Sequence, residues 1–162
     1  MTFDPRPERP TAPAAYGFAT GPQGMLPWEQ VSQALAAANL YWIGTVRDDG
    51  GPHLHSIWGG FVGNHLYFEG GPTTRWARNL IADPRVSFGV ESDGLHITGR
   101  GVVSGRGAAD DFTAVASNYG SKYDYRPEND DFYRVTPEVI IALDMSSLEA
   151  FAQSPTRFRF ES

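Results

Sequence analysis

Between residues 40 and 91 the chain repeats one pattern, a short run dense in β-branched and aromatic residues followed by a glycine-bearing break. LYWIGTVR (40–47) runs into DDGG, PHLHSIWGGFV (52–62) into GN, and HLYFE (65–69) into GGP. Runs of this kind suit a pleated, half-buried surface. Breaks this short, built from Asp, Asn and Gly, reverse the chain onto its neighbour, so the pattern dictates an antiparallel meander. DPRVSFGVE (83–91) and LHITGRGVVSG (95–105) extend it around the turn SDG, and the glycines of the second run suit bulges or bends. FYRV (132–135), EVIIALD (138–144) and TRFRF (156–160) supply the remaining strands.

Helices are few. LPWEQVSQALAAANL (26–40) places Pro27 at a first helical position, Glu29 at the positive end of the dipole, Val31, Leu35 and Ala38 on one face, and Asn39 at the close. AADDFTAVASNY (108–119) spaces Phe112, Val115 and Tyr119 helically. Many short strands with few helices point to one mainly β domain over residues 25–162, a small barrel with accessory helices. Residues 1–24, rich in Pro, Gly, Ala and Thr, read as a flexible N-terminal arm.

Charge and composition narrow the function. A net charge of −6 opposes nucleic-acid binding, which calls for a basic field. The absence of cysteine removes disulfides and thiolate metal sites and suits a reducing compartment. No apolar run approaches the ~20 residues of a membrane span, and the N-terminus lacks an apolar secretory core, so a cytoplasmic protein is expected.

One stretch concentrates chemistry. In GGPTTRWARNL (70–80), Thr73 or Thr74 can cap a helix that runs to Asp83, where Pro84 stops it. A helix start presents unpaired N–H groups and a partial positive charge, a receptor for phosphate. Arg75 lies in the first turn, where its planar fork matches a phosphate bidentately, and Arg78 falls nearby on the same side. The competing reading is a solvated cationic face with Trp76 in the core. The Lys-Ser/Thr ending of a nucleotide P-loop is missing.

The order of these pieces resembles the pyridoxamine 5'-phosphate oxidase-like, FMN-binding split-barrel family, whose relatives include users of the deazaflavin coenzyme F-420. The matching features are the hairpin TVRDDGGPH, Trp58 at the end of the second strand, LYF (66–68), the TTRWARNLIADPRV unit, Tyr119-Gly-Ser-Lys122-Tyr123 and the terminal PTRFRF. The resemblance covers residues 25 to 160. It implies a homodimer of six-stranded antiparallel split β-barrels with a flavin between the subunits. On the residues that match, His55, Ser56, Ile57 and Trp58 would border the cofactor, Glu69 and Gly70 would end the third strand beside it, Thr74 and Arg75 would hold its phosphate, and Arg157 and Phe158 would approach the ring. Trp76 stands where the family usually carries a phosphate-binding lysine, so it either stacks on the cofactor or packs. Ser56 stands where proline is common. The implied activity is hydride exchange between the ring and a small conjugated or heterocyclic substrate, with FMN favoured over the deazaflavin because an acidic chain suits that coenzyme's acidic tail poorly. No protein acid or base is required for this chemistry. A C-terminal segment for binding pyridoxamine phosphate is not recognisable, so that substrate is not expected. The alternative is a flavin- or haem-binding split barrel without turnover.

Other motifs read more plainly. His53 and His55 share one side of a strand but lack a third ligand. GRGVVSG continues a strand where a dinucleotide fingerprint would open a helix. The acidic run ENDD (128–131) reads as a solvated loop, Asp110 and Asp111 as electrostatic support for a helix start, and Tyr119, Lys122 and Tyr123 as either ligand contacts or packing.

Overall fold

The computed structural model describes residues 4–106, 109–128 and 131–161. The side chains of Asp110 and Asp111, and Asn129 and Asp130 in the acidic run, lie outside the described set.

The meander closes into a ring. Strand β2 (Tyr41–Val46) pairs antiparallel with β3 (Pro52–Ile57) on one side and β6 (Arg85–Ser92) on the other. From β6 the ladder passes to β7 (Leu95–Arg106), to β8 (Tyr133–Asp144), to β5 (His65–Phe68) and to β4 (Gly60–Val62). The chain itself joins β4 back to β3 through Trp58 and Gly59. The run 52–62, expected as one strand, is thus two short strands that serve different neighbours, β2 and β5. Gly59 permits the break. A Cβ there would lie 2.9 Å from the Tyr41 ring and 3.1 Å from the Tyr67 carbonyl oxygen, so only hydrogen fits. With β3 and β4 counted as one bent strand, the ring has the six strands of a split barrel.

Strand β8 is continuous where two strands were expected. Its first residues pair with β5 and its later ones, Val139 to Ala142, with β9 (Thr156–Arg159). The glycines of β7 sit at register shifts, at Arg100/Gly101 and Val103/Gly105, where the long strand bends to follow the ring.

The core fills the ring. Helix α1 (Trp28–Ala37) buries Trp28, Val31, Ala34 and Leu35 against it, with Pro27 as its N-cap and Ala38, rather than Asn39, as its C-cap. Full burial of an aliphatic or aromatic side chain of this size contributes about 1.5–3 kcal/mol. Helix α2 (Arg75–Ala82) buries Trp76, Ala77, Asn79 and Leu80. Helix α3 (Ala109–Tyr123) packs Val115 and Tyr119 with Tyr67 and Phe132 in a second cluster. A short helix α4 (Leu148–Gln153), capped by Ser147, was not foreseen; it follows β8 and precedes β9.

The arm expected to be flexible is docked. Strand β1 (Arg6–Glu8) pairs with β9, and Arg9 donates to four backbone carbonyls, of Gly21, Gln23, Gln153 and Pro155, at 2.6–2.8 Å. A composition rich in Pro, Gly, Ala and Thr carried no trace of these edge-strand and guanidinium bonds, nor of Phe18, whose ring packs 5.1 Å from that of Phe151. Among the described residues no helix is long and apolar enough to cross a membrane.

Candidate functional site

Where β3 breaks away from β2, a cleft of about 410 Å³ opens, lined by Ile57, Trp58, Glu69, Gly70 and Asp131. Four of these five residues were singled out from the sequence. The fifth, Asp131, enters from the far side of the chain.

The wall of the cleft is held from behind. Trp58 is half exposed and stacks flat on Tyr123, with ring centroids 4.5 Å apart and planes 4° from parallel. Its carbonyl accepts from the Tyr119 hydroxyl at 3.1 Å. At the next residue, the Gly59 N–H donates to the Tyr123 hydroxyl (3.1 Å), which itself lies 3.0 Å from the Gly59 carbonyl. Lys122 donates to that same carbonyl at 2.5 Å, to the Ala38 carbonyl at 2.9 Å and to the Tyr41 hydroxyl at 3.2 Å. Its ammonium also rides over the Tyr41 and Tyr123 rings, 5.0 and 5.1 Å from their centroids. The last turn of α3 therefore satisfies the backbone polar groups that the strand break leaves without a ladder partner. Burial pushes the Lys122 ammonium down to about 8 and the Tyr41 and Tyr119 hydroxyls far above their ordinary value. Of the two readings of Tyr119, Lys122 and Tyr123, the geometry is that of packing: they hold the wall and do not line the cleft.

Glu69 follows β5 on the opposite side. Its carboxyl is raised, first by burial and then by the nearby Asp131, against a hydrogen bond from the Tyr125 hydroxyl that lowers it. The cleft is thus aromatic and acidic at this end.

Helix α2 begins five residues after Gly70. Thr74 is its N-cap, accepting from the Ala77 N–H at 3.3 Å, while its own N–H donates to the Gly71 carbonyl at 3.1 Å. Arg75 and Arg78 are exposed and have no ion-pair partner among the described residues. Trp76 is 3% exposed, wedged between Phe68 (5.3 Å) and Tyr133 (5.0 Å). A Cβ on Gly70 would sit 2.5 Å from the indole, so Gly70 is the lid on this ring. Trp76 packs rather than offering a face to a ligand.

The remaining site residues separate. Ile43 pairs with His55 and Trp42 with Ser56, so these two side chains leave opposite faces of the edge strand β3, His55 exposed and Ser56 half-buried. Phe158 is fully buried, 5.1 Å from Trp28, because alternation along β9 turns it inward between Arg157 and Arg159; it presents no surface to a cofactor. Arg157 faces out and lines a different groove, where Glu8 holds it at 2.6 Å. Tyr125 and Asp131 are residues that reasoning from sequence missed. They lie in a polar loop with no periodicity, and only the fold brings that loop to Glu69. His53 and His55 stack at 6.4 Å, and among the described residues no group of three or more potential ligands forms a metal site.

Solved structures share this architecture. An F420 reductase aligns over 67% of this chain and 94% of its own, with a TM-score of 0.54 and 24% identity. A haem-binding protein from Mycobacterium smegmatis aligns over 84% of this chain and 63% of its own, at 0.59 and 18%. A pyridoxamine 5'-phosphate oxidase-related, FMN-binding protein from Nostoc punctiforme aligns over 76% and 86%, at 0.54 and 15%. At these identities the likeness is one of fold, the split barrel. No curated protein sequence matches the chain. The family model described as pyridoxamine 5'-phosphate oxidase matches residues 27–144, a span that runs from α1 through the whole ring to the end of β8. With the closed ring, the bent strand and the capped helix beside the cleft, that match establishes that the chain belongs to the pyridoxamine 5'-phosphate oxidase family.

Proposed function

We propose that this protein is a flavin-dependent oxidoreductase that binds FMN in the Trp58–Glu69 cleft and exchanges hydride with a small conjugated or heterocyclic substrate. The observation that carries the reading is a juxtaposition. Trp58 gives the cleft a flat aromatic wall, and its opposite side, Glu69–Gly70, runs within five residues into a helix start whose exposed arginines make no ion pair among the described residues. A phosphorylated aromatic ligand needs both. When bound, FMN supplies the hydride chemistry itself. The chain's part is to hold and orient. Thr74 fixes the helix start, Arg75 meets the phosphate with a charge-assisted fork, and the indole of Trp58, kept flat by Tyr123, sets the plane against which a ring rests. Glu69 and Asp131 make the cleft unfavourable for the acidic tail of a deazaflavin, which supports FMN over that coenzyme. A second copy of the chain would complete the cleft. The outer face of β2 and β3 leaves Trp42 and Leu54 exposed, at 47% and 67%, as a homodimer surface would.

The absorbance spectrum of the freshly purified protein is the first test, and a yellow flavin band is expected. Titration with FMN should quench tryptophan fluorescence, and Arg75→Gln should weaken binding about 10-fold, the value of one charged hydrogen bond. A Soret band, preference for the deazaflavin, or FMN affinity unaffected by Arg75→Gln would each overturn the reading as stated.

A further inference from the structure

Arg157 and Arg159 lie outside the cleft, and the structure gives them a separate setting. Both side chains leave β9 on its outer face and reach over a groove of about 360 Å³, lined by Thr98, Gly99, Arg100, Val139 and Ile141 as well as themselves. Val139 and Ile141 make its floor apolar. Arg100, at the far edge, has Glu138 at 4.0 Å across an exposed gap. Three guanidinium groups thus converge on one apolar-floored groove.

A carboxylate on the N-terminal strap, beside the groove, engages two of these guanidinium groups. In the β1–β9 register Glu8 pairs with Arg157, and its Oε1 accepts from Arg157 Nε at 2.6 Å and also from Arg159 Nε. One carboxylate oxygen between two guanidinium groups is the arrangement an oxyanion ligand would adopt there. These two arginines, with Arg159 first, hold the Glu8 carboxyl below its ordinary range. The strap is fastened unevenly. From Arg9 onward it is anchored by four guanidinium–carbonyl bonds to residues 21–23 and 153–155, whereas Arg6–Glu8 is held by a three-residue edge ladder and this ion pair. Arg9 is therefore a fixed point, and Arg6–Glu8, between it and the buried Pro5, is the part of the strap that a competing anion would release.

We propose that the Arg157–Arg159 groove is an oxyanion site closed by the chain's own carboxylate, and that a phosphate- or carboxylate-bearing ligand with an apolar body binds there by displacing Glu8. The site is distinct from the Trp58 cleft and stands whether or not that cleft takes a flavin. In it, the guanidinium groups fix the anion and Val139 and Ile141 cover the apolar body.

Phenyl phosphate, which joins a dianion to a ring, is the probe, and calorimetry on the full-length chain is the readout. Glu8→Gln removes the competing charge while keeping the ladder, and should tighten phenyl phosphate binding about five-fold over wild type. Adding Arg157→Gln to that variant should abolish the gain. In the wild-type protein, saturating phenyl phosphate should speed amide exchange at Arg6 and Glu8 while Arg9 and Gln23 keep their protection. Equal affinity of wild type and Glu8→Gln overturns the proposal, as does tightening that survives Arg157→Gln or saturation without faster exchange in the strap. Inorganic phosphate binding as tightly as phenyl phosphate would remove the apolar floor from the site. FMN titrated in parallel separates the two proposals: tightening by Glu8→Gln is expected for phenyl phosphate, and the fate of FMN decides the cleft alone.

Discussion

Two cationic residues, each carried by a helix, are treated in opposite ways. Arg75, at the start of α2, is exposed and makes no ion pair with the described residues. Lys122, in the last turn of α3, is half-buried, donates to three oxygens and rides on two aromatic rings. Side by side in the sequence motifs, both looked like anion contacts. The difference teaches that a cation whose donors are spent on two backbone carbonyls and a buried hydroxyl is part of the wall, and one with no ion pair among the described residues is available to a ligand. The first kind should register in stability and the second in affinity.

The largest expected effect tests the wall at its densest point. Trp76 occupies the position where the family usually has a lysine, yet here it fills the space between Phe68, Tyr133 and Gly70. Trp76→Ala should destabilise the fold by about 3–5 kcal/mol, the range for deleting a buried large aromatic. Urea denaturation measures it. A loss under about 1 kcal/mol would mean that the indole is not a packing element and would return it to the binding face.

Lys122→Met comes next. It keeps the length of the side chain but takes the Lys122 donor from the Ala38 carbonyl and the Tyr41 hydroxyl, and leaves the Gly59 carbonyl with the Tyr123 hydroxyl alone. Each buried acceptor stranded in this way costs about 1–3 kcal/mol, and because a partly exposed site admits water the lower end of that range is expected. Stacking of Trp58 on Tyr123 should loosen as well, seen as a shift in tryptophan emission. By contrast, Arg75→Gln should change stability by no more than about 0.5 kcal/mol, its effect falling on FMN affinity instead. If the two variants behaved alike, the distinction between wall and ligand cation would fail.

How far these roles were legible in the sequence follows from the range of the interactions behind them. The meander was readable because strand pattern and turn chemistry are local, and so was the Thr74 cap, whose bond to the Ala77 N–H spans three residues. The cleft residues Ile57, Trp58, Glu69 and Gly70 were reached through resemblance, not through periodicity. What stayed hidden depends on contacts between distant segments. Lys122 meets Gly59 across 63 residues and Arg9 meets Gln153 across 144. Neither bond leaves a mark on its neighbours in sequence. Phe158 shows a subtler failure: strand alternation alone would have turned it away from Arg157 and into the core, had the resemblance not grouped the two residues as one element.

The smallest effect is the sharpest probe of the comparison, because it isolates a single proton. The ordinary ammonium value is 10.5, and burial brings Lys122 to about 8 in the folded protein. Below pH 8 the folded and unfolded chains both hold the proton, and stability does not depend on it. Between pH 8 and about 10 the unfolded chain keeps a proton that the folded chain has released, so stability rises with pH. Above about 10 the tyrosines reverse the slope, since Tyr41 and Tyr119 stay protonated when folded after their unfolded counterparts have ionised. The urea midpoint of the wild-type protein should therefore climb from pH 7.5 to 9.5 and turn over beyond it. Arg75 cannot contribute in this window because guanidinium groups do not titrate there. In Lys122→Met the climb should vanish while the alkaline fall remains. A wild-type midpoint that is flat between pH 7.5 and 9.5 would place the ammonium in solvent, and the strand break at Gly59 would then need another donor.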